Sequence, residues 1–527
     1  MTAAPTTVAA QLRAQRRFGD KPLLVCDDDR LSYAEADIRS MRLARTLIAL
    51  GAGKGTHVGV LAPNGSEFVV AMLAAARIGA VVVPCSTFLT VPELRHHLRA
   101  SDISILLSTR CFRGHDYPEK IAAALDLGPS DLAADAPLFV PAAPVLRRVI
   151  VSPVPDSAAD VDECRVTELE DDVTAADPLA IVYTSGSTGA PKGAVHTHGG
   201  LLTHQHQLNG IRGLDSDDVL FCNSAFFWIG GFAFGLLATL VAGATLVCSN
   251  AEDAGATLDL IEAEKPTTTN GFAAAVTHLT KHPSYPQRVF TATRGNLYPI
   301  MATHCRPADS GLRHAMLGMT EAGSVVLLSA DETDQPEHRR GSFGRPAPGV
   351  QTQVVHPDTG AAVGIGEVGE LWLRGPALME RYHGRRREDC FDADGWWHSG
   401  DLVRTDADGF VYFVARAGAM IKTAGANVTP GEVGAALARL LPRAGVYVVG
   451  LPDPTRGEIV AALVAFDDDD GTGDFRDFDE DAVRAALRAQ LSAYKVPRRF
   501  QVCRRADVPL LASGKVDLPA LRSLFDD

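Results

Sequence analysis

Short apolar runs along this chain alternate with longer stretches in which apolar residues recur every three to four positions, and that alternation predicts layered α/β structure. In the first half the unit is an apolar run such as Val58 to Ala62, an Asn64-Gly65 turn, a helical stretch from about Ser66 to Ile78, and a second run from Ala80 to Val83. Runs without polar alternation suit parallel strands covered on both faces. Further strands of these mostly parallel layers are expected at Ile103 to Leu107, Leu179 to Tyr183, Thr245 to Cys248 and Val325 to Leu328. From about Glu367 the texture changes to short strands separated by Gly and Asp turns, "GEVGELWLRG" and "DGFVYFVAR", which predicts an antiparallel module. A boundary is expected near Arg416, dividing residues 1–415 from a compact α+β domain at 416–527. In the latter, strands fall at Val446 to Val449 and Ile459 to Phe466, an acidic turn at Asp467 to Asp470, and a helix near Asp481 to Leu491.

One stretch tests this soluble reading. Ala225 to Cys248 carries no charge and is long enough for a spanning helix. Gly230, Gly231, Gly235 and Gly243 interrupt it and no basic cluster flanks it, so a buried helix and strand are expected, with no membrane span.

Composition narrows the class. The 527 residues exceed what one core supports, and 46% hydrophobic with 22% charged residues excludes a disordered chain. A formal net charge of −14 argues against nucleic acid as a partner. The nine cysteines are scattered singly with no C-x-x-C spacing, and the start lacks a signal-peptide pattern, so a cytoplasmic location is expected.

The candidate chemistry begins in "YTSGSTGAPKG", Tyr183 to Gly193, directly after an apolar run. Glycines let backbone N–H groups approach an anion and hydroxyls add donors, so a loop rich in both after a buried strand predicts a phosphate cradle rather than a linker. Ala190-Pro191 stands between Gly189 and Lys192, which separates the motif from a Walker A loop.

The loop Thr184 to Gly193 resembles the [ST]SG[ST]TGxPKG pattern of the ANL superfamily of adenylate-forming enzymes, and the resemblance covers nearly the whole chain. It implies a large N-terminal domain of layered α/β subdomains with a β-rich module, and a small mobile α+β C-terminal domain. It implies that Thr184, Ser185, Gly186, Ser187, Thr188, Gly189 and Lys192 meet ATP phosphates. In "GMTEAG", Thr320 would meet phosphate and Glu321 would hold Mg²⁺. Gly295, Leu317 and Gly318 match the adenine-site positions, Asp401 in "GWWHSGDLVR" matches the ribose aspartate, and Arg416 matches the arginine that opens the hinge segment. Gly418 stands at the hinge, Gly425 on a thiol tunnel, and Lys515 in "LLASGKVDL" at the lysine that serves adenylation. Taken singly, Glu321 also suits a helix cap, Asp401 a turn, Gly425 a plain turn and Lys515 a surface position. It is their shared order that carries the resemblance.

The activity so implied is that of an AMP-forming acyl-CoA synthetase. A carboxylic acid attacks the α-phosphorus of ATP to give an acyl-AMP intermediate, and the thiol of coenzyme A, or of a carrier-protein pantetheine, then takes the acyl group. A homodimer is compatible with this class.

Departures qualify it. Gly418-Ala419 replaces the charged hinge residue, and Thr293-Arg294-Gly295-Asn296 stands where the family has G-G-A-P, with Arg294 expected to block that pocket or meet a phosphate. Leu317 replaces the aromatic that stacks on adenine, and "AFFWIGG" places Trp228 where the family has histidine. Phe227, Trp228, Gly230 and Gly231 are then the expected acyl pocket. Its aromatic lining favours an apolar or cyclic acid. The absence there of an aspartate argues against amino acids. Two alternatives stay open: a relative that only converts acyl-AMP to thioester, and a noncatalytic nucleotide or acyl-CoA binding protein. A zinc site from His196, His198, His204 and His206 is the least supported expectation, since histidines on a helix surface need no metal.

Overall fold

The computed structural model describes residues 5–132, 137–152, 161–184, 191–357, 359–416, 420–442, 444–466, 478–510 and 516–526. The expected acidic turn at 467–470 lies outside them. The chain divides into two compact units. One comprises Met1–Thr87, Arg95–Thr184 and Gly193–Ala415, the other Phe88–Leu94, Ser185–Lys192 and Arg416–Asp527.

The first unit is built on two mainly parallel sheets. One runs Arg294–Gly295, Thr268–Asn270, Val219–Cys222, Thr245–Cys248, Pro22–Cys26 and Asp29–Ser32, only the last pair being antiparallel. The other has seven strands, with His57–Leu61 and Val81–Pro84 at its centre and Pro178–Thr184, Lys192–Thr197 and Arg381–Tyr382 leading to one edge. The helices Tyr33–Ala49 and Ser66–Arg77 pack on each other, and nearly every residue of the second is buried. Alanines along its surface (Ala71, Ala74, Ala75 and Ala76) permit that close approach. The main core gathers Leu24, Val60, Phe68, Leu73, Val182, Phe226 and Phe232 between these layers.

The uncharged stretch after Ala225 is a buried helix and strand, as its glycines predicted. Gly230–Leu237 is a π-type turn, continued by the α-helix Ala238–Ala242 and the strand Thr245–Cys248. A Cβ on Gly231 would stand 2.1 Å from the Ala225 carbonyl oxygen, so only glycine fits. Among the described residues no helix is long and apolar enough to cross a membrane.

The parallel placement of Val325 to Leu328 is corrected. The strand Ser324–Leu328 pairs antiparallel with Leu317–Met319 and with Arg345–Pro346 in a separate three-stranded sheet. The turn Thr320–Ala322, closed by Gly323 at φ +70°, is too short for the crossover a parallel pair needs. The antiparallel module follows as four strands: Gln351–Val355, Gly369–Arg374, Trp397–Thr405 and Val411–Arg416.

In the second unit the strands Gly445–Asp453 and Gly457–Phe466 form a long hairpin, and Arg499–Arg504 pairs parallel with the latter. The helices Pro430–Leu440 and Glu480–Arg488 bury Val433, Leu437 and Leu487 against it. The acidic first turn of Glu480–Arg488 and its capping Asp479 suit a helix N-terminus.

Candidate active site

The phosphate-loop residues Ser185, Gly186, Ser187, Thr188 and Gly189, the hinge Gly418, and Lys515 lie outside the described residues. Their flanks are described. Thr184 ends the strand Pro178–Thr184, and Lys192 opens the neighbouring strand Lys192–Thr197. A Cβ on Gly193 would lie 2.6 Å from Ile181 and 2.9 Å from Tyr183, so the strand that leaves the loop packs tightly on the strand that enters it.

That strand is tied to the turn carrying Thr320 and Glu321. Ala194 and Val195 pair with Tyr382 and Arg381. The amides of Glu380 and His383 donate to the carbonyls of Val195 and Gly193, each at 2.7 Å. The adjoining Met379 amide donates to the Glu321 carbonyl at 2.7 Å. The Tyr382 hydroxyl donates to Glu321 Oε1 at 2.9 Å. Glu321 is 8% exposed. Burial, reinforced by that carboxylate, raises the Tyr382 hydroxyl well above its ordinary pKa, so it stays a proton donor. On the same strand the His196 ring bonds the Thr320 backbone, and burial pushes its pKa down to about 4. The structure thus brings Thr320, Glu321 and the exit of the loop into one hydrogen-bonded assembly. Sequence reading missed Tyr382 and weighed His196 only for zinc. No local signal marks either, because their partners lie 61 and 124 residues away in the chain.

Of the four histidines, His206 alone is exposed on the helix His198–Arg212, and His196 stands on the strand before it. His196, His198 and His204 are 1%, 0% and 1% exposed. His198 Nδ1 accepts from the Val8 amide at 3.2 Å, and His204 Nε2 lies 2.9 Å from the Val325 carbonyl. Among the described residues no group of three or more His, Cys, Asp or Glu side chains is placed to hold a metal ion.

Asp401 is 2% exposed in the strand Trp397–Thr405, where its amide donates to Ser399 Oγ at 3.0 Å. Leu317 is 4% exposed in the core shared with Val326 and Leu373. Gly318 and Gly295 are required as glycine: a Cβ would approach Ser324 O to 2.8 Å and Thr269 O to 2.0 Å, and Gly295 has φ +112°. Arg294 neither blocks a pocket nor stands ready for a phosphate. Its guanidinium turns to Asp218 and to the carbonyls of Arg212 and Gly213. The carboxylate of Asp218, only 7% exposed, outcompetes an open cleft for that cation. Phe227 is buried beside Trp228, ring centroids 5.4 Å apart and edge-on, while Gly230 has open space on its Cβ side out to Ser224 at 3.6 Å.

Two amides staple the neighbouring strand ends. Asn296 pairs with both backbone groups of Gly271, and Asn223 with both of Phe272. In the second unit, Ala424 at φ +48° and Gly425 at φ +85° form the turn between Ile421–Thr423 and Ala426–Val428, the geometry of a two-residue hairpin loop. Arg416 closes the strand Val411–Arg416.

Residues 12–383 match the AMP-binding enzyme family and residues 432–515 the AMP-binding enzyme C-terminal domain. The chain is 33% identical over 501 residues to a feruloyl-CoA synthase of Amycolatopsis sp, covering 94% of each. It is 31% identical over 538 residues to 3-[(3aS,4S,7aS)-7a-methyl-1,5-dioxo-octahydro-1H-inden-4-yl]propanoyl:CoA ligase of Mycobacterium tuberculosis, covering 98% of this chain and 99% of that one. Among solved structures, the amide bond synthetase McbA from Marinactinospora thermotolerans superimposes with a TM-score of 0.75 at 23% identity, covering 98% and 99%. Fold and assembly together therefore place the chain in the AMP-binding enzyme family, within the ANL superfamily of adenylate-forming enzymes. Within it the protein is an AMP-forming acid–thiol ligase, an acyl-CoA synthetase that uses ATP and CoA through an acyl-AMP intermediate.

Proposed function

We propose that the protein activates an apolar or cyclic carboxylic acid, not an amino acid, and passes it to the CoA thiol. The loop Thr184 to Gly193, with Lys192, receives the triphosphate, and Thr320 adds a hydroxyl to it. Asp401 takes the ribose hydroxyls. Arg416, Gly418 and Gly425 belong to the hinge and thiol path, and Lys515 meets the charge that grows during adenylation. Glu321 offers carboxylate oxygen, the donor class Mg²⁺ prefers, and is held from behind by Tyr382. Bound Mg²⁺ would spread the negative charge of the phosphates. Phe227 and Trp228 present aromatic surface to the acyl chain and Gly230 leaves room beside it, whereas the Cβ side of Gly231, expected in the pocket, is filled by the Ala225 carbonyl.

The observation that carries this reading is the tie between the exit of the loop and the Thr320–Glu321 turn through Tyr382. ATP–pyrophosphate exchange with a panel of carboxylic and amino acids tests it, run beside CoA-dependent consumption of synthetic acyl-adenylates. Exchange confined to amino acids would sink it.

A second reading, a relative that converts supplied acyl-AMP to thioester and adenylates poorly, is favoured by one observation. The Leu317 side chain is buried in the core, so it offers no ring to a base. Thioester formation without exchange would select it.

A further inference from the structure

Asn64 stands in the turn between the strand His57–Leu61 and the helix Ser66–Arg77 and has no part in the assembly above. Its side chain is buried and places both ends of its amide on one stretch of backbone. Nδ2 donates to the Ser224 carbonyl at 3.0 Å, and the Phe226 amide donates to Oδ1 at 2.8 Å. Donor and acceptor thus straddle Ala225 as one residue of a parallel strand would. The strand Val219–Cys222, which leads into this stretch, has already ended, so a single side chain takes the place of a sheet partner.

The residues so held carry the turn Ala225–Trp228. The Trp228 amide closes it on the Ala225 carbonyl at 3.0 Å, and the Phe232 amide donates to the Trp228 carbonyl at 2.8 Å. Phe68, on the helix that follows Asn64, meets the ring of Phe226 at 5.5 Å between centroids, so one element grips both the backbone and the side chain of Phe226. Asn64 is itself fixed: its carbonyl accepts from Asn250 Nδ2 at 2.6 Å, and Asp27 Oδ2 accepts from the Asn250 amide at 2.8 Å. Asn64, Ser224, Asn250 and Asp27 follow closely on the strands His57–Leu61, Val219–Cys222, Thr245–Cys248 and Pro22–Cys26. They lie at the carboxyl ends of parallel strands, the side on which open α/β sheets bind ligands. A buried polar network with its members satisfied fixes one arrangement, where apolar packing alone tolerates several.

We infer that Asn64 is a positioning residue for the acyl pocket: through the turn Ala225–Trp228 it sets where Phe227 and Trp228 stand, and so which carbon skeletons the acid can have. The inference rests on the acid-activating reading above and adds a residue that determines its specificity.

The test uses the full-length protein and four acids that differ in skeleton: hexanoate, benzoate, 3-phenylpropanoate and 3-cyclohexylpropanoate. In the wild type, ATP–pyrophosphate exchange should give kcat/KM for the best of them at least about tenfold above the worst. Asn64→Ala removes both hydrogen bonds and leaves the Ser224 carbonyl and the Phe226 amide unpaired. The ratio should then fall at least about fivefold, through a raised KM for the best acid, while KM for ATP stays within about twofold. A general loosening of the fold would move both KM values together. If Asn64→Ala does not melt cooperatively, Asn64→Asp, which keeps the acceptor for the Phe226 amide and loses the donor to Ser224, replaces it with the same expectation. A ratio that survives the substitution, a KM for ATP that rises as far as that for the acid, or a wild type that does not discriminate among the four overturns the inference and leaves the acid-activating reading standing. Exchange with none of the four, together with no turnover of their adenylates, removes both.

Discussion

Tyr382 and Glu321, 61 residues apart in the chain, meet through a 2.9 Å hydrogen bond from phenol to carboxylate in a buried setting. The phenol fixes the carboxylate's direction, and the strand that carries the phenol also fixes the exit of the glycine-rich loop. Tyr382 is thus a positioning residue for Glu321.

Tyr382→Phe keeps the ring and removes the donor. Hydrogen bonds to charged groups contribute about 1.5–3 kcal/mol, so exchange should slow about tenfold to a hundredfold. Isothermal titration with ATP, with and without Mg²⁺, should show that the gain in affinity from Mg²⁺ shrinks. An unchanged Mg²⁺ dependence would remove the positioning role.

Lys515→Ala should slow adenylation about a hundredfold or more, since one preorganised donor to developing charge contributes roughly 3–4 kcal/mol. Conversion of supplied acyl-adenylate to thioester should persist. Pre-steady-state measurement of the two half-reactions separates them, and equal losses in both would refute the assignment.

Gly231→Ala should destabilise the first unit by about 1–3 kcal/mol or more, because its Cβ would stand 2.1 Å from the Ala225 carbonyl in the π-type turn. Gly210→Ala, where the added Cβ meets nothing within 4 Å, is the matched control. Urea melts of both variants check the contrast.

Stability should fall on acidification from about pH 6.5 to pH 4. His196, His198 and His204 are buried, and desolvation holds each near a pKa of about 4 instead of the usual 6.5. Their folded pKa values are depressed, so below pH 6.5 the unfolded chain binds protons the folded chain refuses. The loss levels off below about pH 4 and approaches about 3 kcal/mol per histidine at most. Melting temperature measured across that window should drop. A flat profile would mean that the three rings take up protons as readily inside the fold as in the unfolded chain.

Much of the layered fold is legible in local pattern. The run, turn and helix around Asn64-Gly65 is legible because its strands are wholly buried and its helix is nearly so. The strand Ser324–Leu328 was assigned to the wrong kind of sheet because the four-residue apolar run Val325 to Leu328 reads alike in either, and only the Gly323 turn decides its direction. The histidines of His198–Arg212 look like a polar surface in sequence. Tertiary packing buries His198 and His204 by giving each a backbone partner, from Val8 and from Val325.

What the sequence determined by itself is the chemistry that local spacing can encode: a glycine and hydroxyl loop after a buried strand, and the order of Thr320, Glu321, Asp401 and Lys515. Only the tertiary structure decided which side chains serve those residues. It set Tyr382 on Glu321, His196 on Thr320 and Arg294 on Asp218. The reason is physical. Periodicity reports which face of an element is buried, whereas hydrogen bonding and charge pairing depend on what another element brings to that face, and the chain's local pattern does not record that.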